Sequence, residues 1–262
     1  MARTGTDMTG EFFDGVAQWE FEWQGRSAKL PVFYYDNSAL TAIYTASTSA
    51  VRALLPHPAM RPVELYPGRC LTAFTAFEYR KTDIDPYNEF SISFPATFGR
   101  VQIPGVTAAV QMARRCYSAY VWQLPVTTEI ARAGGVDLYG YPKFIAEIEF
   151  ARDPGWIRCD LSEGGRRILS LRGKQPPTSR GKVVRFVTYS MKDGIPLVAN
   201  VYQNPIEYAQ SRRGDAAELV LGHDHPIAQQ LRDIQLSRKP LLCQMSPRNE
   251  LILFAPRNLM DR

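Results

Sequence analysis

The sequence predicts a mainly β fold, β-rich α+β in class, with antiparallel strands forming a sheet or barrel beside a few short helices. Three observations predict it. From Ala146 onward, strand-like runs succeed one another: Ala146–Ala151, Trp156–Leu161, Arg167–Leu171, Val183–Tyr189 and Leu197–Tyr202. Asp-Pro-Gly, Glu-Gly-Gly, a proline-rich link and Lys-Asp-Gly separate them, the spacing of antiparallel strands joined by turns. Near the start, Gln18-Trp19-Glu20-Phe21-Glu22-Trp23 alternates strictly, as a half-exposed strand does. Only three segments carry helical spacing, and all are short.

In order, residues 1–15 read as a loose arm. After the alternating strand, Lys29–Tyr35 and Ala39–Thr45 read as two further strands, with Asp36-Asn37-Ser38 as the turn between them. Ser47–Leu55 reads as a helix. Ser47 or Thr48 can cap it, Val51, Leu54 and Leu55 form its apolar face, and Pro56 and Pro58 stop it. Leu71–Tyr79 and Glu89–Phe94 are neighbouring strands joined by the polar link Arg80–Pro86, and Ser118–Leu124 is another strand. Thr127–Ala133 reads as a short helix ending at Gly134-Gly135. Gly173–Gly181 is the one plausible internal boundary, and it reads as a loop within a single domain spanning 1–262. Ala216–Leu221 is a strand. Pro226–Gln235 is an amphipathic helix with proline at its start. Leu241–Met245 and Glu250–Ala255 read as a closing hairpin.

Composition narrows the function. The 262 residues are 45% hydrophobic and 22% charged, ordinary values for a soluble globular chain with ample length for a core. The net charge of +5 is spread along the chain without a basic block, which argues against a nucleic-acid partner. Cys70, Cys116, Cys159 and Cys243 are far apart and form no Cys-x-x-Cys pair, so they read as free thiols in a reducing compartment. No run approaches the roughly 18 apolar residues of a membrane span. These features place the protein in the cytoplasm. No phosphate loop or dinucleotide motif follows a strand, and no Gly-x-Ser-x-Gly elbow is present. His223 and His225 could ligate a metal, but His57 is the only other histidine, so that pair reads as a helix-entry turn and no metal is expected. The four tryptophans read as barrel wall.

One stretch stands out chemically: Gly134-Gly135-Val136-Asp137-Leu138-Tyr139-Gly140-Tyr141-Pro142-Lys143-Phe144-Ile145-Ala146. Its glycines permit turns that other residues resist, and Pro142 fixes its own φ and extends Tyr141. A lysine held there among Tyr141, Phe144 and Ile145 would lose hydration, which favours the neutral, nucleophilic amine. A surface turn ending in a solvated lysine fits the same residues.

Val-Asp-Leu-Tyr-Gly-Tyr-Pro-Lys resembles the lysine motif of the acetoacetate decarboxylase family, approximately Gly-Arg-Glu-(Ile/Leu)-x-(Gly/Ala)-(Phe/Tyr)-Pro-Lys-Lys. The resemblance implies that Lys143 is the Schiff-base nucleophile. Tyr87-Asn88-Glu89 is similar to the family's Tyr-x-Glu segment, which makes Glu89 the second catalytic candidate; by itself Glu89 reads as an ordinary outward-facing strand carboxylate. Tyr87, Tyr141 and Phe144 are the expected pocket residues. The run through Ser47 to Leu-Leu-Pro is similar to the family's strand and helix ahead of the same site. Departures are plain: Val136-Asp137 replaces Arg-Glu, Phe144 replaces the second lysine, and Asn37 aligns with a site arginine, for which Arg26 lies a sizeable gap away.

The resemblance implies a β-barrel or cone open at one end to the lysine pocket, and a homo-oligomer, dimer or larger. It implies a lyase that acts on a small keto acid and needs no cofactor, because the iminium is the electron sink. Three activities follow as expectations: decarboxylation of a β-keto acid larger than acetoacetate, pyruvate-dependent aldol condensation with dehydration, and binding of a carbonyl or apolar ligand without turnover.

Overall fold

A computed structural model describes residues 12–261. Among the described residues, strands β1 (Trp19–Trp23) and β2 (Arg26–Leu30) pair only with each other, as a hairpin. The chain then runs through β3 (Val32–Ser47), α1 (Thr48–Leu54), the short β4 (Met60–Pro62) and β5 (Glu64–Tyr66), and the long pair β6 (Arg69–Thr82) and β7 (Tyr87–Phe98). Helix α2 (Val106–Arg114), β8 (Cys116–Gln123) and α3 (Glu129–Tyr139) follow. Next come β9 (Glu147–Asp153), β10 (Trp156–Glu163), β11 (Arg166–Lys174), β12 (Val184–Lys192), β13 (Ile195–Ser211) and β14 (Ala217–Leu221). The described chain closes with α4 (Pro226–Asp233), β15 (Leu242–Leu253) and β16 (Arg257–Asn258).

Seven strands close a barrel in the order β3-β6-β7-β8-β12-β13-β15 and back to β3. Closure leaves no unpaired edge. Six of the seven pairings are antiparallel, and β8 with β12 is parallel. A second sheet, β14-β11-β10-β9, packs beside the barrel. The largest core lies between them. Phe74, Phe90, Ile92 and Phe94 of the barrel meet Ile157, Leu161, Leu169 and Leu171 of the second sheet, with Leu231 of α4 alongside. All are at most 2% exposed.

Side chains alternate across a strand, so the same barrel strands have a second face. On β6, Phe74 and Ala76 face the large core, whereas Phe77 and Tyr79 join a second, tyrosine-rich cluster. On β7, Phe90, Ile92 and Phe94 face the large core, and Tyr87 belongs to the tyrosine cluster.

Two of the expected turns are bulges. Lys29–Tyr35 and Ala39–Thr45 are not two strands, because β3 runs unbroken through Asp36-Asn37-Ser38 and shifts register on β6 there. The expected closing hairpin is likewise one strand, β15, with register shifts between Ser246 and Leu251. Each bulge inverts the alternation. Even-numbered Leu40, Ala42 and Tyr44 face the large core, while even-numbered Val32 and Tyr34 face the tyrosine cluster. On β15, Cys243 and Met245 lie in the first and Leu251 in the second. Asp, Asn and Ser favour turns because their side chains bond nearby backbone, and the same property suits bulges.

Other differences are smaller. Helix α2 carries no side-chain cap and no buried residue, so its sequence lacks the usual helix markers. Helix α3 starts two residues later than expected and continues through Gly134-Gly135 to a left-handed Gly140. Of the expected arm, residues 1–11 lie outside the described residues; Phe12–Gly15 form a turn, and the Phe13 ring packs 4.8 Å from Phe33 and 5.1 Å from Tyr35. Among the described residues no helix is long and apolar enough to cross a membrane.

Candidate active site

Three extended segments lie side by side and set the site. Phe90 N donates to Pro125 O at 3.0 Å, and Glu89 bridges Val126 in antiparallel fashion. On the other side, Val126 N donates to Phe144 O at 2.9 Å and Ala146 N to Val126 O at 3.0 Å. Residues 124–126 therefore hold β7 and the lysine segment at a fixed separation. Pro142 adds a local constraint: Lys143 N donates to Tyr141 O at 2.8 Å, closing a three-residue turn around the proline, whose fixed φ suits that geometry.

Helix α3 supplies the opposing surface. A Cβ on Gly135 would lie 2.3 Å from Lys143 Cδ and 2.5 Å from Cε, so only glycine lets the lysine stem lie against the helix. Gly140 ends the helix at φ 61°, and a Cβ there would meet Met191 O at 2.6 Å.

Lys143 Nζ thereby reaches Glu89 Oε2 at 2.7 Å, with the two side chains only 6% and 8% exposed. Buried charges persist when paired and further hydrogen-bonded. Tyr79 Oη donates to Glu89 Oε1 at 3.2 Å, and Lys143 Nζ lies 5.4 Å from the centre of the Tyr87 ring. Burial, reinforced by the Glu89 carboxylate, holds the phenols of Tyr79, Tyr87 and Tyr34 above their ordinary range. They are neutral hydrogen-bond donors across the working pH range. The hydroxyls of Tyr34 and Tyr87 lie 3.3 Å apart. Burial also raises Tyr141, whose hydroxyl shares a 2.7 Å hydrogen bond with Thr188 and whose ring stacks on Tyr139 at 5.4 Å.

A cavity of about 220 Å³ opens beside Lys143. Lys143, Tyr34, Tyr139 and Tyr141 line it, with Leu30, Val32, Ile130 and Leu138. Trp23 and Arg26 of the hairpin and Ile84 of the β6–β7 link contribute to the same lining.

Of the expected site residues, Lys143 and Glu89 meet directly, Tyr87 faces the amine and Tyr141 lines the cavity. Glu89, Tyr87 and Phe144 are not among the residues that line it. Adjacent side chains on an extended segment point opposite ways, and Phe144 packs against the large core instead. Asn37 is buried in the β3 bulge, donating to Asn249 O at 3.0 Å, while Arg26 lines the cavity from β2. Trp122 lies on barrel strand β8, but Trp23 lines the cavity, Trp19 sits on the hairpin and Trp156 on the second sheet. Sequence reasoning also missed Gly135, Tyr34 and Tyr79. The two tyrosines carried no local signal, and Gly135 looked like a helix terminator. His225 caps α4, accepting from Ile227 N through Nδ1, and its Nε2 lies 2.8 Å from Glu163.

Residues 22–241 match the sequence profile of the family described as acetoacetate decarboxylase (ADC). The fold is similar to that of the acetoacetate decarboxylase of Legionella pneumophila subsp. pneumophila str. Philadelphia 1, with TM-score 0.64 and 13% identity over 100% of this chain and 99% of that one. It is similar to the enduracididine biosynthesis enzyme MppR complexed with pyruvate, with TM-score 0.60 and 15% identity over 88% and 90% of the two chains. An acetoacetate decarboxylase-like enzyme from Sphingomonas wittichii RW1 gives TM-score 0.54 and 15% identity over 91% and 97%. At these identities the likeness is one of fold. No curated protein matches the sequence.

Proposed function

The chain belongs to the acetoacetate decarboxylase family, and from that premise we propose that it is a carbon–carbon lyase that binds a keto acid covalently through Lys143. The observation that carries this reading is the enclosed Lys143–Glu89 pair, 2.7 Å apart beside a cavity. Glu89 takes a proton from the ammonium along that hydrogen bond, freeing the amine. The amine attacks the ketone carbon, and the carbinolamine oxygen leaves as water after receiving a proton from Glu89. The product is a protonated imine. The bond between the carboxylate carbon and its neighbour then breaks. Carbon dioxide leaves, and the electron pair moves into an enamine. Protonation of the enamine carbon and hydrolysis of the imine release the ketone and restore the amine. In sum, one keto acid anion and one proton give one ketone and one carbon dioxide.

Decarboxylation of a β-keto acid is the first reading because of how the cations at the cavity are occupied. Lys143 is used by the reaction, Arg26 faces Asp85 at 3.8 Å and Lys29 faces Glu20 at 2.9 Å. A carboxylate that departs needs no lasting cation. Condensation of pyruvate with an aldehyde is the second reading, motivated by the likeness to MppR complexed with pyruvate.

Borohydride reduction in the presence of β-keto acids or pyruvate, followed by peptide mass analysis, tests the covalent step. A reduced adduct on Lys143, absent in Lys143→Ala, is expected. Ligand binding without any adduct would overturn the proposal in favour of a non-catalytic barrel. Carbon dioxide release from β-keto acids, against a conjugated product from pyruvate and an aldehyde, separates the two enzymatic readings.

A further inference from the structure

The cavity has an inner and an outer end. Lys143 is 6% exposed, whereas the Arg26 side chain at the rim is 66% exposed. The same lining holds an apolar set: Trp23, Leu30, Val32, Ile84, Ile130 and Leu138. Most polar groups along that wall are already engaged, and the Tyr139 hydroxyl is buried without a partner among the described residues. Tyr34 bonds Tyr87, and Tyr141 bonds Thr188. Asp83 accepts from Gln18, from Phe33 N and from Tyr35 Oη. Arg26 and Lys29 face Asp85 and Glu20. A hydroxylated or charged substituent lying against Leu30, Val32, Ile84, Ile130 and Leu138 would lose water and meet only hydrocarbon.

We propose that the substrate is a 3-oxo acid whose substituent beyond the ketone is an uncharged hydrocarbon chain longer than the methyl of acetoacetate, held against Trp23 and Ile84. This rests on the covalent reading above for its chemistry, but the hydrocarbon wall is separable from it. Among the described residues the hairpin that carries Trp23 pairs with no barrel strand, and Ile84 lies in the link between β6 and β7, so both can be changed without cutting the barrel ladder. Each methylene moved from water to such a wall favours binding by about fourfold.

The experiment compares acetoacetate, 3-oxohexanoate, 3-oxooctanoate and the dianion 3-oxoadipate, with spontaneous decarboxylation subtracted. The expected kcat/KM rises along the first three and is lowest for 3-oxoadipate. In Trp23→Ala and in Ile84→Ala, the ratio for 3-oxooctanoate over acetoacetate falls by about tenfold. Preference for acetoacetate, preference for 3-oxoadipate, or an unchanged ratio in both variants would overturn the proposal. The reduced analogues 3-hydroxybutyrate and 3-hydroxyoctanoate cannot form an imine, and their binding is read by tryptophan fluorescence. Tighter binding of 3-hydroxyoctanoate with no adduct on Lys143 from any keto acid would support the hydrocarbon wall and sink the covalent step. Equal binding of the two analogues would sink the wall even where adducts form.

Discussion

Lys143 and Glu89 are 54 positions apart in the chain and 2.7 Å apart in space. The residue packed against the lysine stem has no side chain. Gly135 sits inside α3, where alanine is normally favoured over glycine by about 0.5–1 kcal/mol. Its missing Cβ is the space occupied by Lys143 Cδ. Gly135→Ala therefore sets helix propensity against overpacking, which costs about 1–3 kcal/mol where side chains cannot yield. The lysine stem yields first. We expect the melting temperature to move by no more than a few degrees while borohydride trapping falls about tenfold or more; unchanged trapping would show that the stem has room to spare. Glu89→Gln acts differently. It leaves a buried ammonium without its carboxylate, and breaking such a pair costs about 3 kcal/mol. Denaturant titration should register that loss together with loss of trapping, and a fully stable variant would mean the pair is not held as a charged unit. The lysine turn was legible in the sequence because Gly-Tyr-Pro-Lys encodes its own local geometry. The role of Gly135 was not legible, because a glycine pair looks the same whether it ends a helix or makes room for a neighbour.

At the scale of the elements, the bulges in β3 and β15 bring the tyrosine cluster and the large core onto the same strands. Arg80 joins the two. It donates to both carboxylate oxygens of Asp36 at 2.6 and 2.7 Å and to Pro247 O at 3.0 Å. These hydrogen bonds from Arg80 hold the Asp36 carboxyl below its ordinary value near 3.8, against a smaller opposing effect of burial. A depressed folded-state pKa contributes stability above the unfolded value and loses it as pH falls through the folded one. With Arg80 and Asp36 34% and 42% exposed, solvent screening limits the effect. Arg80→Met should cost about 1–2 kcal/mol at neutral pH. Thermal melts of the two proteins should draw together as pH falls below about 3.8; an undiminished gap at lower pH would assign the loss to the Pro247 hydrogen bond and packing instead of the Asp36 pair. Asp36-Asn37-Ser38 and Ser246-Pro247-Arg248-Asn249 were legible as interruptions but not as bulges. The residues that favour a turn favour a bulge too, and the partner strands decide between them.

For the whole molecule, the core shared by the barrel and the second sheet argues that both unfold together. Leu161 lies on β10 of the second sheet, is fully buried, and belongs to the same cluster as Phe74, Phe90 and Phe94 of the barrel. Leu161→Ala should destabilise by about 3 kcal/mol, and the loss should appear equally in far-ultraviolet signal and in near-ultraviolet signal from the site tyrosines. Two separated transitions would mean that the sheets are independent units. The sequence by itself determined the β-rich class, most strand positions, the proline-fixed lysine turn and the family to which the chain belongs. These rest on local properties: side-chain alternation, turn chemistry, and a motif contiguous in the chain. Only the tertiary structure decided which face each strand presents to the site, that Phe144 turns away from it, and that Trp23, Arg26 and Tyr34 enclose it. Those depend on bulges, a parallel pairing of β8 with β12 and barrel closure, all set by contacts between residues distant in sequence.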